Sequence, residues 1–224
     1  MEKRIIVIPA YREEKAIGDV VRAALGVADR VLVVDDGSDD RTSMVAAAAG
    51  ATVVRHTVNR GLGGALGTGI EGALRLGADL IVTMDADGQH RAEDAKRIFE
   101  TLSEGDADFV IGSRMLEGKG NMPVGRRFAQ FVGNALTYVL FRKWVTDSQS
   151  GLRGMTRRSA ERIEIRSSRM EVSSEFVKEI VDKNLRLVEV PIEAVYTAYS
   201  LSKGQSFAVG IQTAMKLILR RLLD

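Results

Sequence analysis

The chain has no cysteine and only two histidines, His56 and His90, among its 224 residues. The lack of cysteine excludes disulfides, thiolate metal sites and cysteine nucleophiles, and two histidines are too few for a histidine-rich metal cage. A chain without cysteine also fits the reducing cytosol. His56 is expected to be a structural or surface residue, whereas His90 lies within a polar motif described below.

Proline and long apolar runs are scarce as well. There are three prolines and no Pro/Ser-rich linker, internal repeat or low-complexity tract, so we expect one domain with an appended C-terminal extension. The longest uncharged run, Phe128–Phe141, is shorter than the roughly 20 residues that span a bilayer. The charged N-terminus runs straight into a strand-like segment, which is not the pattern of a signal peptide.

Charge is balanced overall but unevenly distributed. Hydrophobic residues make up 45% and charged residues 28% of the chain, as in soluble globular proteins. The net charge is +2, yet residues 112–171 carry twelve Lys and Arg against five Asp and Glu. This basic third, at +7, leaves −5 for the rest and indicates a surface that faces an anion.

The first half alternates short apolar segments with segments of helical periodicity. The apolar segments are rich in Val and Ile on both faces, as in parallel strands that helices cover on both sides. The predicted strands are Arg4–Ile8, Arg30–Val34, Ala51–Arg55, Asp79–Met84, Asp108–Ile111 and Leu185–Pro191. The predicted helices are Glu14–Leu25, Asp40–Ala49, Gly64–Leu76, Ala92–Ser103, Arg126–Lys143, Ser173–Lys183 and Phe207–Leu223. This order predicts an α/β fold with a mostly parallel sheet.

Polar clusters follow four of the predicted strands. They are Pro9–Glu13, Asp35–Ser38, Asp85–His90 and Gly112–Arg114. A single acidic pair in such a place is usually a helix cap or a solvated turn. The carboxyl ends of parallel strands lie along one edge of a sheet, however, so we expect four clusters there to converge on one crevice.

The cluster Asp85–His90 predicts a metal site. Residues two apart in an extended segment project to the same side, so Asp85, Asp87 and Gln89 are expected to face one point. Their oxygens suit a hard cation, Mg²⁺ or Mn²⁺, which also binds substrate phosphates. The alternative is an Asx-type turn that caps the next helix, and the two roles are compatible.

The glycine-rich stretch Arg60–Gly67 does not have the spacing of a dinucleotide or P-loop motif. Proximity to a ligand and tight helix packing both explain it.

In this order the motifs resemble those of family 2 glycosyltransferases of GT-A fold. The resemblance rests on Pro-Ala-Tyr-x-Glu, Asp-Asp-Gly-Ser, Asp-Ala-Asp-x-Gln-His, Gly-Ser-Arg and Asp-Ser-Gln-Ser-Gly-Leu-Arg, the last at residues 147–153. Within the family the chain looks like the dolichol-phosphate mannose/glucose synthase branch, and the match covers essentially the whole chain. We accordingly divide it into a GT-A domain, residues 1–205, and an amphipathic helix, residues 206–224. The domain has a nucleotide-sugar-binding half (1–114) and an acceptor half (115–205).

The resemblance implies roles for individual residues. The nucleoside pocket would consist of Pro9, Tyr11, Glu13, Val34 and Asp36. The ribose and diphosphate would contact Asp85, Ala86 and Lys203. The metal would be held by Asp85, Asp87 and Gln89. The catalytic residues would be Asp87 and two arginines facing the acceptor phosphate, Arg114 and Arg127, with Arg126 as the alternative to Arg127.

The implied reaction transfers a sugar from a nucleoside diphosphate to a polyprenyl phosphate, with inversion at the sugar carbon. The second phosphate pKa is about 6, so this acceptor is already anionic near neutral pH and needs no general base. Arginine is suited to bidentate phosphate contacts. Near the C-terminus, residues 197–203 lack the Arg and Gly of the mannose synthase pattern Arg-x-x-Gly-x-Ser-Lys. GDP-mannose, UDP-glucose and UDP-N-acetylglucosamine therefore remain open as donors.

An acceptor of this kind lies in a bilayer, and two predicted helices combine apolar bodies with basic ends. Arg126–Lys143 and Phe207–Leu223 resemble in-plane interfacial helices, although packing on the sheet or on a partner explains them too. We expect peripheral attachment to the cytoplasmic face of a membrane; the oligomeric state is open.

Two other functions are compatible with parts of this pattern. A transferase with a glycan or other hydroxyl acceptor would need a carboxylate base, with Glu171 or Glu175 as candidates. A non-catalytic module binding membrane or nucleic acid would use only the basic region, and the intact metal motif counts against it.

Overall fold

The structure, a computed structural model, describes residues 2–116, 133–135, 137–168, 171–193 and 195. Its described strands form one seven-stranded sheet in the order β3-β2-β1-β4-β6-β5-β7. The strands are β1 Arg4–Ala10, β2 Arg30–Asp35, β3 Thr52–Arg55, β4 Leu80–Thr83, β5 Phe109–Ser113, β6 Arg153–Thr156 and β7 Leu187–Pro191. All pairings are parallel except those of β6 with β4 and β5. The predicted α/β fold with a mostly parallel sheet is confirmed.

Helices cover both faces of the sheet. They are α1 Ile17–Leu25, α2 Thr42–Ala48, α3 Gly61–Arg75, α4 Ala92–Ser103, the short α5 Arg157–Ala160 and α6 Val172–Asp182. In α1 the buried residues include Ile17, Val20, Val21 and Ala24, the spacing of one apolar helix face. One core cluster joins α1, α2 and α4 to one sheet face, and the other joins α3 and α6 to the opposite face. This double cover explains why the central strands are apolar on both sides.

The strand β6 is the main element that the sequence did not predict. Four residues long, it lies antiparallel between β4 and β5, where Arg153 pairs with Thr83 on one side and Ile111 on the other. Because β6 runs against its neighbours, it begins at the edge where they end. The segment that precedes it, residues 147–152, is thereby brought to the carboxyl ends of the parallel strands.

The strand ends form a line of polar residues along this edge. Strand register pairs Ala10 with Asp35 and Ser113 with Pro191, so the ends of β1, β2, β5 and β7 are level. The order of strands reverses between β1 and β4, and ligands bind at such switch points in open α/β sheets. The four predicted clusters therefore do share one sheet edge.

Close packing accounts for glycines of α3. A Cβ at Gly69 would lie 2.2 Å from Cγ1 of Val7, and one at Gly63 would lie 1.8 Å from the carbonyl oxygen of Ser167. Of the two explanations of the glycine-rich stretch, tight packing is the one that the structure shows at Gly63.

Several predicted features lie outside the described residues. They are Arg126, Arg127, Lys203 and the C-terminal helix at 206–224. Of the predicted helix Arg126–Lys143, residues 133–135 and 137–141 are described and helical. The positive φ of Arg142, 56°, marks the end of this helix.

Candidate active site

The loop after β1 packs against the loop after β2. The backbone amide of Arg12 donates to Oγ of Ser38 at 2.9 Å, and the Arg12 guanidinium forms a bidentate pair with Asp39 at 2.7 and 2.6 Å. This guanidinium also lies 5.2 Å from the centre of the Tyr11 ring. Tyr11 is 41% exposed, so its ring is available to a ligand at the predicted nucleoside side of the site.

The two carboxylates after β2 are buried and bonded by the protein itself. Asp35 accepts from the amide of Ser38 at 2.9 Å. Asp36, 3% exposed, accepts from the amides of Arg60 and Gly61 at 2.8 and 2.7 Å and from Nδ1 of His56 at 2.7 Å. These bonds fix the beginning of α3. A carboxylate has about four acceptor positions, so Asp36 retains room for one further donor.

Asp85, which follows β4, has a different environment. Its side chain is 41% exposed, and Nε2 of His90 donates to its Oδ2 at 3.0 Å. Burial in the crevice opposes ionisation of Asp85. The hydrogen bond and charge of His90, together with the charges of Arg153 and Arg114, outweigh it and hold the pKa of Asp85 below its usual value.

Asp87 and Gln89 lie together in the same turn. Oδ1 of Asp87 accepts from the Gln89 amide at 3.0 Å, and the Gln89 side-chain amide donates to Oδ2. Nowhere in the described part of the chain do three His, Cys, Asp or Glu side chains group into a metal cage. The donor set of Asp85, Asp87 and Gln89 still fits Mg²⁺ or Mn²⁺, because such ions use one or two carboxylates and complete their shell with water and substrate phosphates.

On the other side of β6, Arg114 is held by a buried carboxylate. Asp147 is fully buried, and its oxygens accept from Nε and Nη2 of Arg114 at 2.6 and 2.8 Å. The backbone amide of Arg114 also donates to Asp147, at 3.2 Å. This bidentate geometry orients the guanidinium plane.

A second arginine lies between these groups, and the sequence motifs assign no role to it. Arg153, the first residue of β6, is 2% exposed. Its Nη2 donates to Oγ of Ser173 at 3.0 Å, and its guanidinium lies 5.0 Å from the centre of the Phe176 ring. The motif at 147–153 contained the signal, but only the strand pairing shows that this arginine is central and buried.

The structure brings most of the described predicted residues to one edge, though not all as surface side chains. Pro9 and Glu13 flank Tyr11 at the end of β1 and are half-buried. Ala86 is buried beside Asp85. Val34 is fully buried, with its Cγ2 3.3 Å from the position of a Cβ at Gly69. The whole residue is inaccessible, so it offers no surface to a ligand and could support a nucleoside pocket only from behind.

Both histidines of the chain are buried and bonded to aspartates. His56 bridges Asp36 and the hydroxyl of Thr68, at 2.7 and 3.0 Å, which agrees with the structural role expected for it. His90 faces Asp85. Neither imidazole presents a surface that an acceptor hydroxyl could reach as it would reach a general base.

Comparison with known proteins identifies relatives of this site and fold. The model of the family described as glycosyl transferase family 2 matches residues 5–164. The UDP-N-acetylglucosamine–dolichyl-phosphate N-acetylglucosaminyltransferase of Methanococcus voltae is 32% identical, with 97% of this chain and 95% of that protein covered. The undecaprenyl-phosphate mannosyltransferase of Micrococcus luteus is also 32% identical, over 92% of this chain and 89% of that protein.

Among solved structures, a similar one is the glucosyl-3-phosphoglycerate synthase of Mycobacterium tuberculosis in complex with Mn²⁺, UDP and glucosyl-3-phosphoglycerate. The TM-score is 0.77 at 18% identity, covering 98% of this chain and 80% of that one. At this identity the likeness establishes the shared fold, which is the GT-A fold predicted from the sequence.

Proposed function

The chain belongs to glycosyl transferase family 2 and is a glycosyltransferase, and we propose that it transfers a sugar from a nucleoside diphosphate to a polyprenyl phosphate at a membrane surface. The transfer inverts the configuration at the sugar carbon and depends on Mg²⁺ or Mn²⁺. Residues 1–114 bind the donor and residues 115–205 the acceptor, with residues 206–224 as an amphipathic extension.

The observation that carries this proposal is the placement of opposite charges on the two sides of β6. Asp85, Asp87 and Gln89 follow β4, and Arg114 follows β5, oriented by Asp147 at 2.6 Å. A cation site beside a fixed arginine suits two anionic reactants, a donor diphosphate and an acceptor phosphate. Two curated relatives are named for transfer to dolichyl and undecaprenyl phosphates, which supports the same acceptor class here.

The environment of the histidines favours an acceptor that is already ionised. A phosphate oxygen is a nucleophile near neutral pH, whereas a hydroxyl needs a base. Both imidazoles are bonded to aspartates. Glu175, a candidate base for a hydroxyl acceptor, is bonded to the amides of Arg166 and Ser167 at 3.0 and 2.8 Å. No observation favours a hydroxyl acceptor over the phosphate.

The remaining site residues have distinct tasks in this proposal. Asp85, Asp87 and Gln89 hold the cation, which offsets the charge that develops on the leaving nucleoside diphosphate. Ala86 and Lys203 contact the donor phosphates and ribose. The exposed ring of Tyr11 packs against the nucleoside beside Pro9 and Glu13. Asp36 offers its one remaining acceptor position, and the buried Val34 supports the pocket from behind. Arg114 and Arg127 hold the acceptor phosphate.

The segment 137–144 supports contact with a membrane surface. Tyr138, Val139 and Trp144 are exposed, and the rings of Tyr138 and Trp144 lie 5.9 Å apart. Exposed Arg142 and Lys143 lie beside them. The same helix directs polar side chains inward, since Asn134 and Thr137 are buried. Aromatic rings outside and an amide and a hydroxyl inside reverse the usual pattern, and aromatic and basic side chains together suit the anionic interface of a bilayer.

In the described part of the chain, no helix has both the length and the apolar character to cross a bilayer. Flotation with liposomes containing anionic lipid tests peripheral attachment. The variant Tyr138→Ser/Trp144→Ser should float less, and the variant Met44→Ser/Val58→Ser, at two exposed apolar residues elsewhere, should float as the wild type does. Equal flotation of all three proteins would contradict the role of this segment.

A panel of nucleotide sugars tests the activity. The panel comprises GDP-mannose, UDP-glucose and UDP-N-acetylglucosamine, each with a polyprenyl phosphate and Mg²⁺ or Mn²⁺. We expect transfer from at least one donor and loss of transfer after EDTA treatment, restored by adding the metal back. Transfer from none of the donors to the lipid would overturn the proposed function.

A further inference from the structure

The residues Asp147 and Arg153 bound the segment that β6 brings to the active-site edge, and both are almost completely buried. In the function proposed above Asp147 orients Arg114, whereas Arg153 has no role. They are opposite in sign and interact electrostatically, since the charge of Asp147 favours the protonated form of Arg153. Buried charges are costly unless they are paired and hydrogen-bonded, so their presence here needs a reason.

Asp147 fixes Arg114 by three contacts. It accepts from Nε, Nη2 and the backbone amide of Arg114, at 2.6, 2.8 and 3.2 Å. Both the main chain and the guanidinium of Arg114 are therefore set by one carboxylate. The direction in which Arg114 points depends on Asp147.

Arg153 lacks such a contact partner. Its hydrogen-bond acceptors are neutral, Oγ of Ser173 at 3.0 Å and the carbonyl oxygen of Ser148 at 3.5 Å, and its Nε is buried without a partner. No carboxylate of the described residues lies within ion-pair distance of it. An unpaired buried donor destabilises a fold, and well-packed apolar residues often replace buried charges without loss of stability. Stability alone does not account for Arg153.

The charge of Arg153 acts on the two carboxylates beside it. Burial lowers the pKa of Arg153 to about 10, against the opposing effect of Asp85 and Asp147, so the guanidinium remains charged at neutral pH. The same segment also contacts Asp85 sterically. A Cβ at Gly151 would lie 2.1 Å from Oδ2 of Asp85, which means that the Asp85 carboxylate fills the space over this glycine.

We propose that Arg153 is a positioning residue for the segment 147–152, to which it donates at the Ser148 carbonyl. Because Gly151 of this segment packs on Asp85 and its Asp147 holds Arg114, Arg153 keeps the donor-side carboxylate and the acceptor-side pair in a fixed arrangement. Charges then alternate across the site in the order Asp85, Arg153, Asp147, Arg114. Through this arrangement, binding of the nucleoside diphosphate strengthens binding of the acceptor phosphate, and the reverse holds by linkage. The inference rests on the proposed function and deepens it.

The test compares Arg153→Met, which keeps the length and loses the charge, with Arg153→Lys, which keeps the charge. Calorimetry measures the affinity for UDP and for GDP in the presence of Mn²⁺, with and without farnesyl phosphate as acceptor probe. We expect Arg153→Met to weaken nucleotide binding about tenfold, within the range for residues that orient metal ligands, and to abolish the effect of farnesyl phosphate on it. Arg153→Lys should retain part of the nucleotide affinity and part of the effect of farnesyl phosphate on it.

Two further measurements separate positioning from folding. Urea unfolding should show Arg153→Met to be as stable as the wild type or more so, and Arg158→Met, at an exposed arginine of α5, is the matched control for both binding and stability. In a double-mutant cycle on nucleotide affinity with farnesyl phosphate present, Arg153→Met and Asp147→Asn should be non-additive, because they interrupt one arrangement.

Nucleotide affinity of Arg153→Met equal to that of the wild type, or additive effects in the cycle, would overturn the positioning role. The binding measurement does not require turnover. Absence of transfer by the wild type with every donor would count against the proposed function, whereas unchanged binding in the variant would count against Arg153 alone.

Discussion

Two acidic loops lie at the same edge of the sheet, one after β2 and one after β4, and the protein uses them differently. In the first, Asp36 is 3% exposed and bonded to two backbone amides and a histidine. In the second, Asp85 is 41% exposed and is held by His90 and by more distant charges. Asp87 is half-buried, and Gln89 is its bonding partner in the same turn.

The difference shows what separates a structural carboxylate from one available for chemistry. Two backbone amides at a helix N-terminus and the His56 ring together take up most of the acceptor positions of Asp36, and they do so without a ligand. The carboxylates after β4 are bonded within their own loop instead, Asp85 to His90 and Asp87 to the amide of Gln89. Their remaining positions can be taken by a cation and the phosphates it binds.

The largest effect is expected for the second loop. On the proposed function, Asp87→Ala should lower turnover about a thousandfold, close to 4 kcal/mol in activation free energy, because the cation would lose a ligand at the leaving diphosphate. Urea unfolding should be nearly unchanged. Asp19→Ala, at a side chain that is 85% exposed on α1, is the matched control and should retain full turnover. Substantial activity in Asp87→Ala would contradict the view that the second loop supplies the carboxylates available for chemistry.

A substitution in the first loop should lower the stability of the fold. Asp36→Ala removes the acceptor for the amides of Arg60 and Gly61 and for His56, and we expect it to cost about 3 kcal/mol of unfolding free energy, since buried bonds to charged groups are lost. Asp36→Asn retains one acceptor oxygen and should cost less. The measurement is the urea concentration at the midpoint of unfolding, with the denaturant dependence of the unfolding free energy unchanged. A stability like that of the wild type would show that the loop does not depend on this carboxylate.

A steric change can displace Asp85 without removing it. Gly151→Ala places a methyl group 2.1 Å from Oδ2 of Asp85, and a displacement of about 1 Å costs on the order of a hundredfold in rate. Single-turnover rates, measured as a function of Mn²⁺ concentration, would detect this loss of rate. Gly105→Ala has nothing within 4 Å of the added methyl and controls for the extra atom, although its positive φ adds some backbone strain. An unimpaired Gly151→Ala enzyme would mean that Asp85 tolerates movement.

The smallest effect concerns pH dependence in the first loop. Burial opposes ionisation of Asp40, but hydrogen bonds from the hydroxyl and amide of Thr42 and the amide of Glu14 hold its pKa below the usual value. Asp40→Asn should therefore cost about 1 kcal/mol at neutral pH, as for loss of a helix cap. Because the folded pKa is the lower one, this contribution is present above about pH 3.9 and is lost as the pH falls through the folded value. Unfolding curves followed from pH 7 down to a pH below the folded pKa of Asp40 should show the two proteins converging at the acid end, and a constant difference would contradict the assignment.

Much of the donor side could be predicted from the sequence because its signals are local. The strands β1 to β5 were placed within one or two residues by their runs of Val and Ile, and their polar clusters were expected at one edge because parallel strands end together. The strand β6 could not be predicted, because its four residues have no strand pattern of their own. They are Arg153–Thr156. Their pairing with β4 and β5 is a long-range contact. The buried position of Arg153 followed from that pairing and could not be read from its residue type.

By itself the sequence determined the α/β class, the family motifs and the residue types available for the chemistry: carboxylates and arginines, with no cysteine and few histidines. The fold then separates a carboxylate that the protein's own amides occupy from one that keeps acceptor positions open. Asp36 and Asp85 have the same ionisable group and follow parallel strands in the same way. What separates them is the partner that the fold brings to each, backbone amides of α3 for Asp36 and the antiparallel β6 segment with its buried charges for Asp85.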